Sequence, residues 1–308
     1  MIIFIPDTYN KAGLGHLYRC YKYAHYLKNK DIIFLIKKTF NKKFLNNSFK
    51  HLFYSNLDTI LKKITKKEEV QFIFLDSYNK KLHLKNFNVY SKKTLSILDY
   101  KTTSKADVLI DHTFLRNKTY HNKNRPNQKI LFGHNYFPIC KNLKKLKKKI
   151  ILIDFGSVKN LKIIKNSINF IIKMKLEKKY KVIVINKFIT HKDTKKFKNI
   201  YFVKFIKNIK NIYSQTFFSI GACGISLYEK CFYNIPTIAL KVSDNQKFNF
   251  LNFKKTNNIL NYNHIINSQK HSKTKVLDMI IKVKKNLKKN FVLSVNRKKL
   301  NRLFMSIN

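Results

Sequence analysis

The first side chain equipped for chemistry lies in the segment KAGLGHLYR, where Gly13 and Gly15 precede His16 and Arg19 follows it by three residues. The apolar run MIIFIP before this segment ends at Asp7, and Leu17, Cys20, Tyr21, Ala24 and Leu27 after it have helical spacing. Glycines in such a turn let the backbone approach a ligand closely, and the turn delivers His16 to the start of a helix, where an imidazole can serve as a general base. Arg19, one turn on, shares the helix face of His16. The bland alternative is a strand-to-helix turn with an incidental histidine. The full pattern GxGHxxR directly after a first strand outweighs it.

A second group closes the run VQFIFLD with Asp76 and Tyr78. An Asp–Ser–Tyr cluster at a strand end can orient a base or contact a sugar; equally, Asp76 or Ser77 can cap a helix. Asp99 ends the run SILD, and Asp111 with His112 ends DVLID. Repeated carboxylates at strand ends suit a polyhydroxyl or amide ligand. In the second half, Gly156 follows IILIDF in a turn whose backbone N–H groups suit phosphate. The segment FFSIGACGISLYEKCF ends a strand at Gly221 and opens a helix at Gly224, with Ser226 in its first turn and Glu229 one turn deeper. Such a helix start offers amide and hydroxyl donors to a diphosphate, and the carboxylate suits ribose hydroxyls. Asn245 and Gln246, after PTIAL, add two amide side chains at the same edge.

These residues need a scaffold that gathers strand ends. Continuous apolar runs at 1–6, 32–36, 70–76, 95–99, 107–111 and 129–133 alternate with amphipathic stretches, including a helical segment around 56–67. That pattern predicts a parallel sheet covered on both faces. A second series begins at 150–156 and continues with a helix over about 160–176, strands at 181–186, 200–203 and 217–221, a helix from about 224, and a strand at 236–240. The charged stretch 140–149 reads as a linker, and the tail from about 272 as one or two Lys-rich amphipathic helices. The expected fold is α/β, with two doubly wound Rossmann-like domains facing a cleft, at 1–140 and 150–308.

The chain has 308 residues, 44% of them apolar, enough for two cores. Its formal charge is +50, from 65 Lys and Arg against 15 Asp and Glu. Nearly all of it is lysine spread evenly along the chain, with arginine only at 19, 116, 125, 297 and 302. Nucleic-acid recognition usually recruits arginine forks, so the charge reads as a compositional bias and nucleic acid is not the expected partner. The positive field is expected to attract anionic ligands and to favour loose association with an acidic membrane face. No apolar run is long enough for a membrane span, and no signal peptide is evident. Cys20, Cys140, Cys223 and Cys231 are scattered and read as buried thiols, which favours the cytoplasm.

With these residues in view, the chain resembles the UDP-sugar hydrolases of pseudaminic acid biosynthesis over roughly residues 1–250. The resemblance rests on GxGHxxR (Gly13, Gly15, His16, Arg19), on Asp76 and Tyr78, on Asp99, and on GHNYFPI with Gly133 and Tyr136. In the second half it rests on Gly156, on Gly224, Ser226 and Glu229, and on Asn245 and Gln246. It implies a two-lobed fold of the glycosyltransferase-B type that removes UDP from UDP-2,4-diacetamido-2,4,6-trideoxy-β-L-altrose without metal or cofactor. His16 would activate a water for attack at the anomeric carbon, with Asp76 and Tyr78 orienting base and sugar. The remaining residues would hold the substrate: Gly13, Gly15, Arg19, Asp99 and Tyr136 in the first domain, and the second-half set around UDP. In such a family the product serves flagellin or surface-polysaccharide glycosylation. The chain departs from the family in carrying Tyr100 after Asp99 and the shortened loop FGSVKN. The alternative is a UDP-sugar glycosyltransferase on the same scaffold.

Overall fold

The computed structural model describes residues 1–8, 14–27, 31–117, 119–123, 126–139, 143, 146–156, 158–186, 188, 199–206, 208–268 and 271–305. In chain order the first elements are β1 (Ile2–Pro6), α1 (Gly15–Ala24), β2 (Ile32–Lys37), β3 (Lys50–Tyr54), α2 (Leu57–Thr65), β4 (Phe72–Asp76), α3 (Lys80–Leu84), β5 (Lys93–Ile97), β6 (Val108–Asp111) and β7 (Lys129–Phe132). Then come β8 (Ile150–Asp154), α4 (Leu161–Lys173), β9 (Lys181–Ile185), β10 (Ile200–Val203), α5 (Ile209–Gln215), β11 (Thr216–Ala222) and α6 (Ile225–Phe232). The last are β12 (Thr237–Leu240), α7 (Lys247–Lys255), β13 (Leu260–Asn261), α8 (Lys273–Asn290) and α9 (Leu293–Met305). No helix among the described residues is long and apolar enough to cross a membrane.

Two units result: Met1–Cys140 with Ser294–Asn308, and Lys141–Leu293. Each holds one sheet whose described pairings are all parallel, in the orders β3-β2-β1-β4-β5-β6-β7 and β10-β9-β8-β11-β12-β13. The strand order reverses between β1 and β4 in the first sheet and between β8 and β11 in the second. Open α/β sheets bind ligands at the carboxyl side of such switch points. The α/β doubly wound expectation is therefore met twice. The edge strand β3, the two-residue β13 and the helices α3, α5 and α7 add to the predicted elements. They escaped notice because little of them is buried: of β3 only Tyr54 is in the core, and of α7 only Phe253.

The continuous apolar runs follow from burial on both faces. On β1, Ile2 and Phe4 join Leu17, Cys20, Tyr21 and Ala24 of α1, whereas Ile3 and Ile5 join Leu61 and Ile64 of α2. Phe4, Phe34 and Phe74 are register neighbours on three adjacent strands, and their rings stack with centroids 5.0 and 4.6 Å apart. This column and the apolar face of α1 fix where that helix begins. The asparagine-rich composition also has a local use. Asn56, Asn79 and Asn160 each accept a backbone N–H at the start of α2, α3 and α4, satisfying a donor that lacks an intrahelical partner.

Residues 140–142 and 144–145 of the expected linker lie outside the described residues. The Lys-rich tail forms two helices, and they part company. Helix α8 stays with the second unit and buries Val276, Ile280, Val283 and Leu287. The sequence reading carried the second domain through to 308, but residues from Ser294 onward belong to the first unit. There Leu300 and Leu303 enter the core of β1 and α1. Buried Asn296 donates through Nδ2 to the carbonyls of Asn135 (2.9 Å) and Phe137 (2.7 Å). Two hydrogen bonds from one amide to far-distant backbone carry no signal in local periodicity. Replacing Asn296 with Ala is expected to cost about 1–3 kcal/mol, because both carbonyls lose their donor. Urea unfolding followed by a probe in the first unit measures it, with a lowered midpoint as the expected result.

Candidate active site

Asp76 ends β4 opposite Pro6 of β1 and Ile97 of β5, at the switch point of the first sheet. Its carboxylate is fully buried and crowded with donors. Arg19 Nε reaches Oδ2 at 2.7 Å and Arg19 Nη2 reaches Oδ1 at 2.5 Å, a bidentate fork. His16 Nδ1 lies 2.6 Å from Oδ1, and Cys20 Sγ 3.8 Å from Oδ2. Burial by itself would raise this carboxyl, but the charges of Arg19 and His16 outweigh it and hold it below the usual carboxylate range. An ionised carboxylate only accepts, so His16 Nδ1 carries a proton, and it is Nε2 that bears the lone pair in the neutral imidazole. Among the described residues Nε2 has no hydrogen-bond partner. The arrangement is an oriented imidazole with a buried acid behind it, a form suited to taking a proton from a nucleophile.

Arg19 extends the group. Its side chain is wholly buried, and Nη1 donates to Asp99 Oδ2 at 3.1 Å and to His112 Nε2 at 3.2 Å. Burial, and next the positive charge of Arg19, push the His112 imidazole down to about 4, so it stays neutral and accepts. Behind Asp99, Arg116 Nη2 donates to the Asp99 carbonyl at 2.7 Å while Arg116 Nε holds Asp111 Oδ2 at 2.9 Å. His121 Nε2 lies 2.9 Å from that same oxygen of Asp111.

The Tyr78 ring meets His16 edge-on, with centroids 4.5 Å apart, and contacts Tyr100 at 5.3 Å. The turn that carries it is tied down from several sides. Asp7 Oδ2 accepts from Ser77 Oγ and Tyr78 N, each at 3.1 Å. His83 Nε2 donates to Ser77 O at 2.6 Å, and its Nδ1 accepts from Ser96 Oγ at 2.8 Å. Tyr100 donates to the same carbonyl of Ser77 at 3.3 Å. The side chain that caps α3 is that of Asn79, so the helix-cap alternative for Asp76 is not what the fold uses.

The structure thus gathers His16, Arg19, Asp76, Tyr78 and Asp99 into one connected group. Gly15 opens α1 directly before His16. Gly13 lies outside the described residues. Tyr136 is not part of the group: its carbonyl accepts from Tyr23 at 2.6 Å, and its ring packs on the apolar core with Lys299 above it at 5.3 Å. Sequence reasoning did not assign Asp7, His83, His112 or Arg116 to the site. Arg116 had a usable signal, being one of five arginines in a chain that otherwise uses lysine.

In the second unit the switch point brings Gly156 and Gly224 to one sheet edge. Gly156 has φ +65, and its N–H donates to Asp154 Oδ1 at 3.0 Å. Gly224 starts α6 with no side-chain cap, and Ser226 is half-buried in the first turn. Glu229 is buried. Gln246 Oε1 accepts from Cys223 N and Val242 N, both at 3.2 Å, so this amide oxygen ties two loops together. Asn245 is exposed and accepts from Ser243 Oγ at 2.5 Å. Cys20, Cys223 and Cys231 are buried free thiols, and Cys140 lies outside the described residues.

No family profile matches the sequence, and a search of curated proteins finds no match. Solved structures do match. The glycotransferase of kitacinnamycin aligns with TM-score 0.67 and 9% identity over 99% of this chain and 98% of that one. Arabidopsis thaliana UGT89C1 complexed with UDP-L-rhamnose aligns with TM-score 0.61 and 11% identity over 97% of both chains. Acinetobacter baumannii MurG aligns with TM-score 0.61 and 10% identity over 99% of both. The chain therefore has the glycosyltransferase-B-type fold.

The buried network makes stability depend on acid. An unfolded histidine protonates near 6.5 and the folded His112 near 4, so stability is lost as pH falls through that window, by up to about 3 kcal/mol for this one residue. The lowered Asp76 carboxyl adds a further loss below the ordinary carboxylate range, near 3.8. Unfolding midpoints measured from pH 7 to pH 4 should fall for the native chain and fall less for His112→Gln.

Proposed function

We propose that this chain is an enzyme acting on a nucleotide sugar, in which His16 Nε2 takes the proton from the nucleophile attacking the anomeric carbon. The observation that carries this reading is the 2.6 Å contact of His16 Nδ1 with buried, ionised Asp76 at the switch point. It fixes the tautomer, aims the ring, and stabilises the imidazolium formed when the proton arrives. Asp76 is held by Arg19, and Tyr78 packs against the imidazole edge. Asp99 and Gly15 are assigned to the sugar, and Gly13 and Tyr136 follow from the sequence resemblance alone. In the second unit, Gly156, Gly224, Ser226 and Glu229 are assigned to the nucleoside diphosphate, with Asn245 and the loop held by Gln246 beside them.

Two nucleophiles fit such a base. The fold comparisons favour transfer to an acceptor hydroxyl, since the similar structures are of glycosyltransferases. One of these was solved with UDP-L-rhamnose. Hydrolysis, with water as acceptor, is the second reading. It is favoured by the way His16, Arg19, Asp76, Tyr78 and Asp99, which belong to the pattern behind the hydrolase resemblance, come together in one group. A cytoplasmic site of action and a loose hold on acidic membrane faces accompany either reading.

Purified protein incubated with UDP-2,4-diacetamido-2,4,6-trideoxy-β-L-altrose and no acceptor distinguishes them. Free UDP at a catalytic rate supports hydrolysis. UDP release only when hydroxyl acceptors are added supports transfer, and no release from this or other UDP-sugars in either condition defeats the proposal. His16→Asn is expected to lower kcat by roughly 100-fold or more with nucleotide affinity unchanged. Glu229→Ala should raise KM first. Equal effects of the two variants on kcat and KM would overturn the division of roles.

A further inference from the structure

The second unit contains a charge that the assignments above leave unused. Lys230 lies near the end of α6 with a side chain that has no solvent exposure, and its Nζ is 3.3 Å from Asp154 Oδ2. Asp154 ends β8, is only slightly exposed, and through its other oxygen accepts the N–H of Gly156. The pair thus stands directly beneath the positive-φ turn at the second switch point.

Room for the ammonium is made by Gly221. A Cβ there would lie 2.2 Å from the Asp154 carbonyl oxygen and 3.3 Å from Lys230 Nζ. On either side of Lys230 in the sequence, Cys223 and Cys231 are buried and neutral, Cys223 being pushed up by burial to about 12. An ammonium in such surroundings is costly to desolvate, and one carboxylate contact does not use its three donors. Holding the Gly156 turn does not require a charge either, because an asparagine oxygen accepts a backbone N–H equally well. The negative charge of Asp154 is therefore surplus to the turn it holds, and it has to be offset if an anion is to bind there. A bare carboxylate at this edge would repel a phosphate brought to the Gly156 and Gly224 turns, and an ammonium behind it cancels that field.

We infer that Lys230 is a positioning residue for a nucleoside diphosphate: it neutralises Asp154, so that the carboxylate can shape the Gly156 turn without repelling the diphosphate. The inference rests on the assignment of the nucleotide to this unit. It predicts an effect that scales with ligand charge, which a purely structural lysine would not produce.

The test is calorimetric titration of the full chain with UDP, UMP and uridine at one salt concentration. For Lys230→Met, UDP affinity is expected to fall roughly tenfold, UMP less, and uridine hardly at all. Adding Asp154→Asn to that variant removes the unpaired carboxylate and keeps the hydrogen bond to Gly156, so UDP affinity should return to within about threefold of the native chain. Equal losses for UDP and uridine, or no recovery in the double variant, would overturn the inference. Should Lys230→Met fail to fold, the double variant still decides: a UDP-to-uridine preference close to native supports the proposal, and a tenfold loss of that preference defeats it. A native chain that binds no UDP would instead remove the nucleotide assignment on which the inference stands.

Discussion

One buried guanidinium organises the first unit. Arg19 has no access to water, and its donors reach Asp76 at the end of β4, Asp99 just past β5 and His112 just past β6. Desolvating such a group is expensive, and it persists only because two carboxylates and a neutral imidazole meet it. The same fork that satisfies Arg19 keeps Asp76 ionised, and ionised Asp76 in turn sets the proton on His16 Nδ1. Fold and proposed chemistry share this contact. Removing either member would leave an opposite charge stranded inside the sheet edge, which is why the group has to be treated as a unit.

Its placement follows from ordinary packing. Helix α1 can present His16 and Arg19 to the sheet edge only because Leu17, Cys20, Tyr21 and Ala24 lie against the column of Phe4, Phe34 and Phe74. Arg116 repeats the theme further along, bridging Asp111 and the backbone of Asp99. In a chain whose positive charge is mostly lysine, the arginines of the sheet edge, Arg19 and Arg116, each use a planar fork to hold two groups at once.

Much of this was legible in the residues. Buried strands announce themselves as continuous apolar runs, and the strand-end carboxylates Asp76 and Asp99 fall where such runs stop. What was not legible has physical reasons. Strand β3 and helix α7 bury too few side chains to show a period. His83 works through Ser77 and Ser96 across a turn with no regular period, and His112 through Arg19, 93 residues away. The cap reading of Asp76 could not be dismissed until Asn79 was seen to fill that place. Tyr136, singled out by resemblance, proves to be packed against the core and Lys299. An asparagine of the background and an asparagine at a helix cap look alike in composition, and only the fold separates them.

The return of α9 to the first unit has a consequence for how the chain matures. Leu300 and Leu303 complete a core begun by Ile2 and Phe4, so segments almost three hundred residues apart must meet before that core closes. During synthesis the first sheet can collapse early, but its final helix emerges only after the whole second unit has been made. Until then the apolar surface awaiting Leu300 and Leu303 is left uncovered, a window in which the nascent chain is open to aggregation and to chaperone capture.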